Sequence, residues 1–385
     1  MQLEIPCFVM RGGTSKGLFF LEKDLPFSRQ TNEKELNRFL LRVMGSPDRK
    51  QIDGLGGATS VTSKVAIISP SERKDADVDY TFAQVSVDKP VVSYAGNCGN
   101  MLSGVGPFAI EKGLVPACSP TTVVRIYNTN TKKLMYEKVE TPEKKVKYSG
   151  TYSIAGVPRK AAPIQIIFKH PMGTLFPSIL PTGNAVDDLM VPGFGKLQVS
   201  IVDVTNPLVF ARAADIGLKG TELPADIDSN RDLLDRLEKI RGSAACLLGL
   251  EKDYSQAAFS TPGVPKMTFV TKPVSYITSA GDTVKAKDVD LVSRMMSMQK
   301  AHPTYAFTGA MCTAAAAAVP GTIVNQMMNP CADLARFRIG HAGGMINAGV
   351  KAETRPDHEL SIEEVYGYRT ARLLLKGDIV YEQED

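Results

Sequence analysis

Apolar residues recur along this chain at two spacings, and each spacing predicts a different element. Helical spacing is clearest in the stretch 95–114, AGNCGNMLSGVGPFAIEKGL, where small residues surround Cys98 and an apolar run follows. It predicts a helix over 99–112, capped by Asn97 and ended by Gly113. The other segments with helical spacing are 31–44, 233–250, 307–319 and a stripe formed by Val289, Val292 and Met295.

Runs of β-favouring residues separated by turns predict strands, and the second half of the chain repeats the first in outline. In each half a strand, a polar break and a second strand precede a helix, and a later strand has a lysine at its start, Lys64 or Lys266. A turn of small residues then opens an apolar helix. The pattern predicts two similar domains, 1–183 and 184–385, divided in the segment 170–184, with the last strand free to return to the first domain.

The composition of the 385 residues is that of an ordinary folded protein and narrows the class of function. The net charge of +4 is small and scattered, which argues against a nucleic-acid surface but suits a small, multiply charged anion. We find no leader pattern and no apolar run near the ~20 residues of a membrane span, so we expect a cytoplasmic protein. Six cysteines and four histidines show neither CxxC nor HExxH spacing, so we expect free thiols and no metal.

Cys98 is the first candidate for chemistry. At the start of a helix, unpaired N–H groups and the helix dipole favour a thiolate over a thiol. Most lone intracellular cysteines are packed and inert, but a packed cysteine does not need small or amide neighbours on both sides. The neighbours Asn97, Gly99 and Asn100 leave room for a ligand and offer it hydrogen-bond donors. We therefore interpret Cys98 as a site residue.

Lys64 and the loop RGGTSKG at 11–17 are the other candidates in the first half. Lys64 follows Ser63 in a hydroxyl-rich segment, and the hydroxyl of Ser63 is a candidate hydrogen-bond donor to the substrate. On the surface this lysine is merely solvated, whereas in a cleft desolvation would lower its pKa towards the range of a proton-transfer group. The loop lacks the Gly-Lys-Ser/Thr ending of a nucleotide-binding phosphate loop, so we expect it either to hold a carboxylate or to be a plain hairpin turn. The side chains it offers a carboxylate are those of Arg11, Thr14 and Ser15.

The second half offers equivalent positions. The segment FTGAMC at 307–312 opens a helix as GNCGN does, and Thr308, Gly309 and Met311 lie at its start. His341 lies in the glycine-rich turn that follows a strand, where it contacts a substrate or is satisfied by backbone groups. Lys266 pairs with a substrate carboxylate or lies in solvent. Two helix N-termini that face one cleft would form an anion site.

Taken together, these motifs resemble the PrpF family, within the diaminopimelate epimerase-like superfamily. The motifs that carry the resemblance, in the family's order and over nearly the whole chain, are RGGTSKG at 11–17, GGATSVTSKVAII at 56–68, GNCGN at 96–100, FTGAMC at 307–312 and GHAGG at 340–344. The resemblance implies an α+β fold of two pseudo-repeated domains. Each is a rolled, mostly antiparallel sheet around a central helix, and the active site lies between them.

The resemblance also implies cofactor-free proton transfer at carbon. Family members isomerise unsaturated di- and tricarboxylates related to aconitate, namely 2-methylaconitate, 4-oxalomesaconate and 3-methylitaconate, and the residues that match Lys64 and Cys98 are their catalytic pair. An allylic shift passes through an extended enolate-like anion, so the site needs a base, an acid for the return, and donors where charge accumulates. We expect Lys64 to be the main base and Cys98 its partner, although the sequence does not fix which one gives the proton and which one takes it.

Two other functions stay open. Epimerases of this superfamily use one cysteine from each domain, whereas Met311 takes the second thiol's place here if Gly309 is matched to Gly96. Cys312 is one position away, so an alignment shifted by one residue would restore a two-thiol amino-acid epimerase. The other alternative is a carboxylate-binding accessory protein to an aconitase-like enzyme, without activity of its own. The partner expected from our main interpretation is a small anionic di- or tricarboxylate, with no cofactor, nucleic acid or membrane, and a homodimer stays open.

Overall fold

The computed structural model describes residues 2–94, 98–173, 175–297, 299–354 and 360–382. The strands in this part of the chain are β1 (Gln2–Gly12), β2 (Ser15–Leu21), β3 (Lys64–Pro70), β4 (Val78–Val85), β5 (Val92–Ser93), β6 (Thr121–Asn128), β7 (Lys133–Glu140), β8 (Ile164–Lys169), β9 (Asp187–Val191), β10 (Gly195–Val204), β11 (Asn206–Arg212), β12 (Lys266–Thr271), β13 (Tyr276–Ile277), β14 (Thr283–Val284), β15 (Leu291–Ser297), β16 (Lys300–Ala301), β17 (Phe337–His341), β18 (Gly344–Thr354), β19 (Leu360–Arg369) and β20 (Ala371–Glu382). The helices are α1 (Arg29–Met44), α2 (Gly99–Leu102), α3 (Val105–Glu111), α4 (Pro224–Ser229), α5 (Arg231–Leu247), α6 (Ala257–Ser260), α7 (Phe307–Ala318) and α8 (Ile323–Met327).

Two units make up the chain, Met1–Ile167 with Tyr368–Asp385, and Phe168–Gly367. The sequence placed the division later, after residue 183, and allowed the last strand to return to the first domain. In the structure the chain passes from one unit to the other within β8 and again within β19. The final strand, β20, belongs to the first unit, where it pairs with β1 along its length.

In the first unit, a mostly antiparallel sheet surrounds the short helices α2 and α3. Its strand order is β20, β1, β2, β3, β4, β6, β7, and the pairs β2–β3 and β4–β6 are parallel. Side chains alternate across β3, so Val65 and Ile67 pack with Phe39 of α1 on one face. Lys64 therefore starts the opposite face of β3, the face of the sheet that holds α2 and α3. The central aromatic contact on that face joins Phe108 of α3 to Phe8, with ring centroids 5.1 Å apart.

The second unit repeats this plan. Its strand order is β9, β10, β11, β12, β15, β17, β18, β19, with β11–β12 and β15–β17 parallel. From β10 to β18 the pairings follow the same order of antiparallel and parallel as those from β1 to β7. The central helix is α7, whose residues are almost all buried, and α5 packs on the other face of the sheet. The predicted α+β class with two repeated halves is confirmed.

One side-chain cluster is repeated almost atom for atom. In the first unit Asp77 accepts hydrogen bonds from the backbone and guanidinium of Arg125, which also donates to the Lys74 carbonyl. In the second unit Asp290 and Arg338 do the same, and Arg338 donates to the Lys287 carbonyl. The Asp and Arg are 48 residues apart in both units. The shared spacing supports a duplicated unit, independently of the sheet.

Two predicted helices differ from the structure, one in its continuity and the other in its type. The helix predicted over 99–112 is present but divided into α2 and α3, because Pro107 lacks the N–H that would bond to the Ser103 carbonyl and its ring would collide with that carbonyl in a continuous helix. The stripe of Val289, Val292 and Met295 belongs to no helix, and the latter two residues lie in strand β15. This strand is buried along nearly its whole length, so it shows no polar alternation, and a short apolar run of this kind does not distinguish strand from helix.

Candidate active site

Cys98 lies at the N-terminus of α2, as predicted, but it is itself the N-cap residue, the position that the sequence analysis assigned to Asn97. Its carbonyl accepts a hydrogen bond from the N–H of Leu102 at 2.8 Å, and the residue is partly exposed. Helix α2, which Cys98 caps, packs against β1, β2 and β3. The turn predicted at 96–97, and with it the binding role expected of Asn97, lies outside the described residues.

The loop at 11–17 and the residues after Cys98 fit together because the loop has glycines. A Cβ atom on Gly12 would collide with the backbone carbonyl of Asn100, and one on Gly13 would collide with its side-chain amide. Gly13 also has a φ of +53°, which favours glycine. The amide of Asn100 donates to the hydroxyl of Thr14 at 2.9 Å. Two of the predicted motifs are thus in direct contact.

Several polar atoms of this loop and of Asn100 beside it are buried and have no hydrogen-bond partner in the part of the chain that the structure describes. Ser15 is 2% exposed, and neither its hydroxyl nor the amide oxygen of Asn100 has a hydrogen-bond partner among the described residues. Arg11 donates through one nitrogen to the carbonyls of Gly13 and Thr370, at 2.8 Å each, and its other terminal nitrogen is buried and unpaired within the same part of the chain. Burial, and then the charge of nearby Arg372, lowers the pKa of Arg11. Buried polar atoms of this kind require water or a ligand.

Lys64 is the first residue of β3 and is 8% exposed. Its ammonium lies 5.1 Å from the centroid of the Phe82 ring and donates to the amide oxygen of Gln84 at 2.5 Å. Gly17 pairs with Lys64 across β2 and β3, and a Cβ atom at Gly17 would collide with the Lys64 carbonyl. The lysine is thus held on the inner face of the sheet rather than solvated as an ordinary surface lysine.

Ser63 has a different position from the one its candidate role implied. It is fully buried, and its hydroxyl lies 2.8 Å from the side-chain oxygen of Gln51 and 2.8 Å from the carbonyl of Thr59. These contacts close the loop before β3. In this structure the hydroxyl therefore stabilises the loop that precedes Lys64.

Sequence reasoning missed two residues that lie close enough to Cys98 for its charge to affect them. Arg369, at the end of β19, is 8% exposed, and burial lowers its pKa to about 10, an effect opposed by the charges of Tyr152 and Cys98. Tyr80 on β4 is fully buried, and burial, followed by the charges of Cys98 and Glu137, raises the pKa of its hydroxyl. Arg369 is 271 positions from Cys98 in the printed sequence, so no local motif signals it.

Glu137 lies beneath α3. It is fully buried, and one carboxyl oxygen accepts from the N–H of Gly106 at 2.8 Å, while the other has no partner in the described ranges. Burial raises the pKa of Glu137 well above its usual range. The protonated acid is therefore the favoured form, and Gly106 is required because a Cβ atom there would collide with the carboxyl group.

The candidates of the second unit occupy two separate places within it. Thr308, Gly309 and Met311 lie in the first turn of α7. The Thr308 carbonyl accepts from the hydroxyl of Thr205 at 2.8 Å, and Met311 is fully buried. Lys266 instead lines a cavity of about 10 Å³, which also borders residues of α5, and burial followed by the charge of Arg241 lowers its pKa. Such a cavity holds about one water molecule.

His341 and Cys312 are enclosed by protein. His341 is 1% exposed, its Nδ1 accepts from the N–H of Gly343 at 3.1 Å, and its ring stacks on that of Tyr305. Cys312 is fully buried, its thiol lies 3.4 Å from the Val202 carbonyl, and burial raises its pKa. A thiol in this setting is a poor proton carrier, which argues against the two-thiol epimerase.

No group of three or more His, Cys, Asp or Glu side chains in the described ranges is arranged to hold a metal ion. Within the same ranges, no helix has the length and apolar character needed to span a membrane.

Comparison with known proteins gave full-length matches. The PrpF protein family matches residues 2–382. The chain is 46% identical over 383 residues to 3-methylitaconate isomerase of Eubacterium barkeri, covering 99% of this chain and 98% of that protein. It is 41% identical over 389 residues to 2-methyl-aconitate isomerase of Shewanella oneidensis (strain MR-1), with 98% and 96% covered.

Comparison with solved structures also gives matches over nearly the whole chain. The crystal structure of methylitaconate-delta-isomerase superposes with a TM-score of 0.89 at 46% identity, over 98% of this chain and 96% of that one. A probable proline racemase from Agrobacterium radiobacter K84 gives a TM-score of 0.54 at 14% identity, over 99% and 93%. The second likeness shows a shared fold alone, and it confirms the predicted epimerase-like architecture.

Proposed function

Since this chain belongs to the PrpF family and is an isomerase, we propose that it moves a proton within an unsaturated di- or tricarboxylate of the aconitate type, with Lys64 and Cys98 as the acid–base pair. The candidate substrates are 3-methylitaconate, 2-methylaconitate and 4-oxalomesaconate. The relative named for 3-methylitaconate has the higher identity of the two compared here, so that acid is the first to test.

The observation that carries the proposal is the placement of the two titratable side chains in the first unit. Lys64 begins β3 on the inner face of the sheet, and Cys98 caps α2, the helix packed against β3. Proton transfer at carbon needs a base and an acid held near one another and partly shielded from water.

Positive charge and hydrogen-bond donors near Cys98 suit an anionic substrate. Arg369 is buried close enough to feel the charge of Cys98, and an arginine can bind a carboxylate through two parallel hydrogen bonds. The hydroxyl of Ser15 and a terminal nitrogen of Arg11 are buried polar groups without a partner in the described chain. A bound carboxylate would satisfy such groups and hold the acidic carbon at the base.

The proposed reaction proceeds in two proton transfers. The base takes a proton from the saturated carbon of the allylic unit, and the electron pair is spread over the three carbons and the attached carboxylate as an enolate-like anion. The acid then gives a proton to the far carbon, and the double bond has moved by one position. Donors fixed near the developing negative charge lower the barrier, because they need no reorganisation as the charge forms.

The test is proton NMR in D₂O with each of the three acids and with trans-aconitate. We expect deuterium to enter the allylic carbon of one acid together with formation of its isomer, and we expect Lys64→Ala and Cys98→Ser to abolish isomer formation. A variant that keeps the base but lacks the acid still exchanges deuterium without isomerising, which assigns the two roles. Tight binding without exchange in any acid would favour the accessory protein, and exchange into an amino acid would favour the epimerase.

A further inference from the structure

Gln84 contacts Lys64 directly, and sequence analysis did not select it. It lies on β4 and pairs with Lys64 across the antiparallel register of β3 and β4. Its side-chain oxygen accepts from the lysine ammonium at 2.5 Å. Lys64 is largely buried, and its Nζ is in direct contact with this acceptor. The contact therefore determines where the nitrogen can lie.

The orientation of the Gln84 amide is fixed by its other end. The amide nitrogen lies 3.0 Å from the carbonyl of Ser60 and 3.0 Å from that of Ser63, and 3.3 Å from that of Val85. Carbonyl oxygens only accept, so the NH₂ group must face them and the oxygen must face Lys64. The amide is therefore held from behind by the loop that precedes β3.

We propose that Gln84 is a positioning residue: its amide, anchored on the carbonyls of Ser60 and Ser63, holds the Lys64 nitrogen in place for proton transfer. This rests on the proposed function of Lys64. A neutral amide suits the task better than a carboxylate would, because it orients the amine without adding a charge that retains the proton. A displacement of about 1 Å in a reacting group can cost about 100-fold in rate.

The first test uses Gln84→Met, which keeps the length of the side chain and removes both the acceptor and the donors. For the acid found to be turned over, we expect kcat to fall about 10- to 100-fold with KM nearly unchanged, because the substrate contacts remain. Gln84→Glu restores an acceptor to Lys64, but its carboxylate lies against carbonyl oxygens and its charge retains the proton on the amine. This variant is therefore expected to recover part of the rate only at alkaline pH. The control is Gln30→Glu, the same change on the exposed surface of α1.

The second test reads the pKa of Lys64 without any substrate. Competitive acetylation with acetic anhydride over a pH series, followed by mass spectrometry, gives the pKa of this one amine. Loss of the acceptor disfavours the ammonium, so Gln84→Met should lower that pKa, and the ionised carboxylate introduced by Gln84→Glu should raise it. The limb of the pH–rate profile that belongs to Lys64 should move with it.

The neighbouring titratable groups are the same in all these variants, so the shift reports residue 84 alone. These groups are Lys16, Glu22, Lys23, Asp24, Asp79, Tyr80 and Glu111 on the elements packed against β3, with Cys98 at the start of α2 and Lys112 at the end of α3.

The outcomes separate the two proposals. An unchanged Lys64 pKa in both Gln84 variants, or an equal shift in Gln30→Glu, would overturn the positioning role. Opposite shifts of the Lys64 pKa in the two Gln84 variants, with no turnover of any acid, would show that Gln84 contacts Lys64 and would refute the proposed reaction. A fall in kcat that is matched by an equal rise in KM would show damage to substrate binding, and would also overturn the positioning role.

Discussion

Replacing Glu137 by glutamine should stabilise the protein above the ordinary pKa of a carboxyl group, by an amount that grows with pH until the raised pKa of the folded carboxyl is reached. Burial raises the pKa of this carboxyl from its ordinary value of 4.5, so above that pH the folded chain keeps a proton that the unfolded chain has released. When the folded state binds one more proton, the free energy of unfolding falls by about 1.4 kcal/mol per pH unit. This pH dependence is confined to the window between the pKa of the carboxyl in the unfolded chain and its raised pKa in the folded chain.

The glutamine side chain of the Glu137→Gln variant has the same shape and carries no charge, so the variant lacks this pH-dependent loss. Its side-chain oxygen can still accept from the N–H of Gly106, the contact that Glu137 makes at 2.8 Å. The gap in stability between Glu137→Gln and wild type should therefore widen by about 1.4 kcal/mol, or about tenfold in the unfolding equilibrium, for each pH unit in that window.

The assay is urea unfolding followed by far-ultraviolet circular dichroism at pH 5, 6, 7 and 8. Glu140→Gln is the matched control, because it changes a partly exposed carboxyl on the same strand. Glu140 pairs with Lys147 at 2.7 Å, and a surface ion pair contributes less than about 1 kcal/mol. A gap between Glu137→Gln and wild type that is the same at every pH would refute the argument that Glu137 is buried and protonated.

Two further predictions concern the fold around the thiols. Gly13→Ala should lower the free energy of unfolding by more than the ~1 kcal/mol of a left-handed alanine, because its Cβ meets the Asn100 amide. Gly193→Ala is the control, since Gly193 also has a positive φ, +75°, and no atom of the described residues lies within 4 Å of the added Cβ. Equal losses of stability in the two variants, measured by urea unfolding, would show that Asn100 can move aside. Cys312→Ala should leave kcat/KM for the acid that is turned over within about twofold of wild type, since the thiol is buried and bonded to a carbonyl, and should cost stability only; a drop of about 100-fold or more in rate would restore the two-thiol mechanism.

The candidate site could be predicted wherever its residues form local motifs. Cys98 at a helix N-terminus, Lys64 at the start of a strand and the glycine loop at 11–17 each follow from spacing within about ten residues, and the structure places each of them on the predicted kind of element. Helix boundaries were less predictable. Pro107 divides the central helix of the first unit, although the apolar spacing continues through it, because spacing records the buried face and not the backbone hydrogen bonds.

Contacts between distant segments could not be read from any motif. Arg369 comes close to Cys98 only because the chain returns to the first unit at its end, and Gln84 meets Lys64 only through the register of β3 and β4. Lys266 shows that an equivalent position in the sequence can have different surroundings. It begins β12 as Lys64 begins β3, yet it lines a small cavity beside Arg241 of α5.

Local patterns in the sequence sufficed to predict most helices and strands, the repetition of one unit and the family, because apolar period, turn residues and ordered motifs are local properties of a chain. The pairing of polar atoms could not be predicted in this way. The Ser63 hydroxyl bonds within its own loop, Ser15 is buried without a partner in the described chain, and the buried Glu137 carboxyl beneath α3 has a raised pKa. Burial and hydrogen bonding depend on every segment that packs around a side chain, and those segments come from all parts of the sequence.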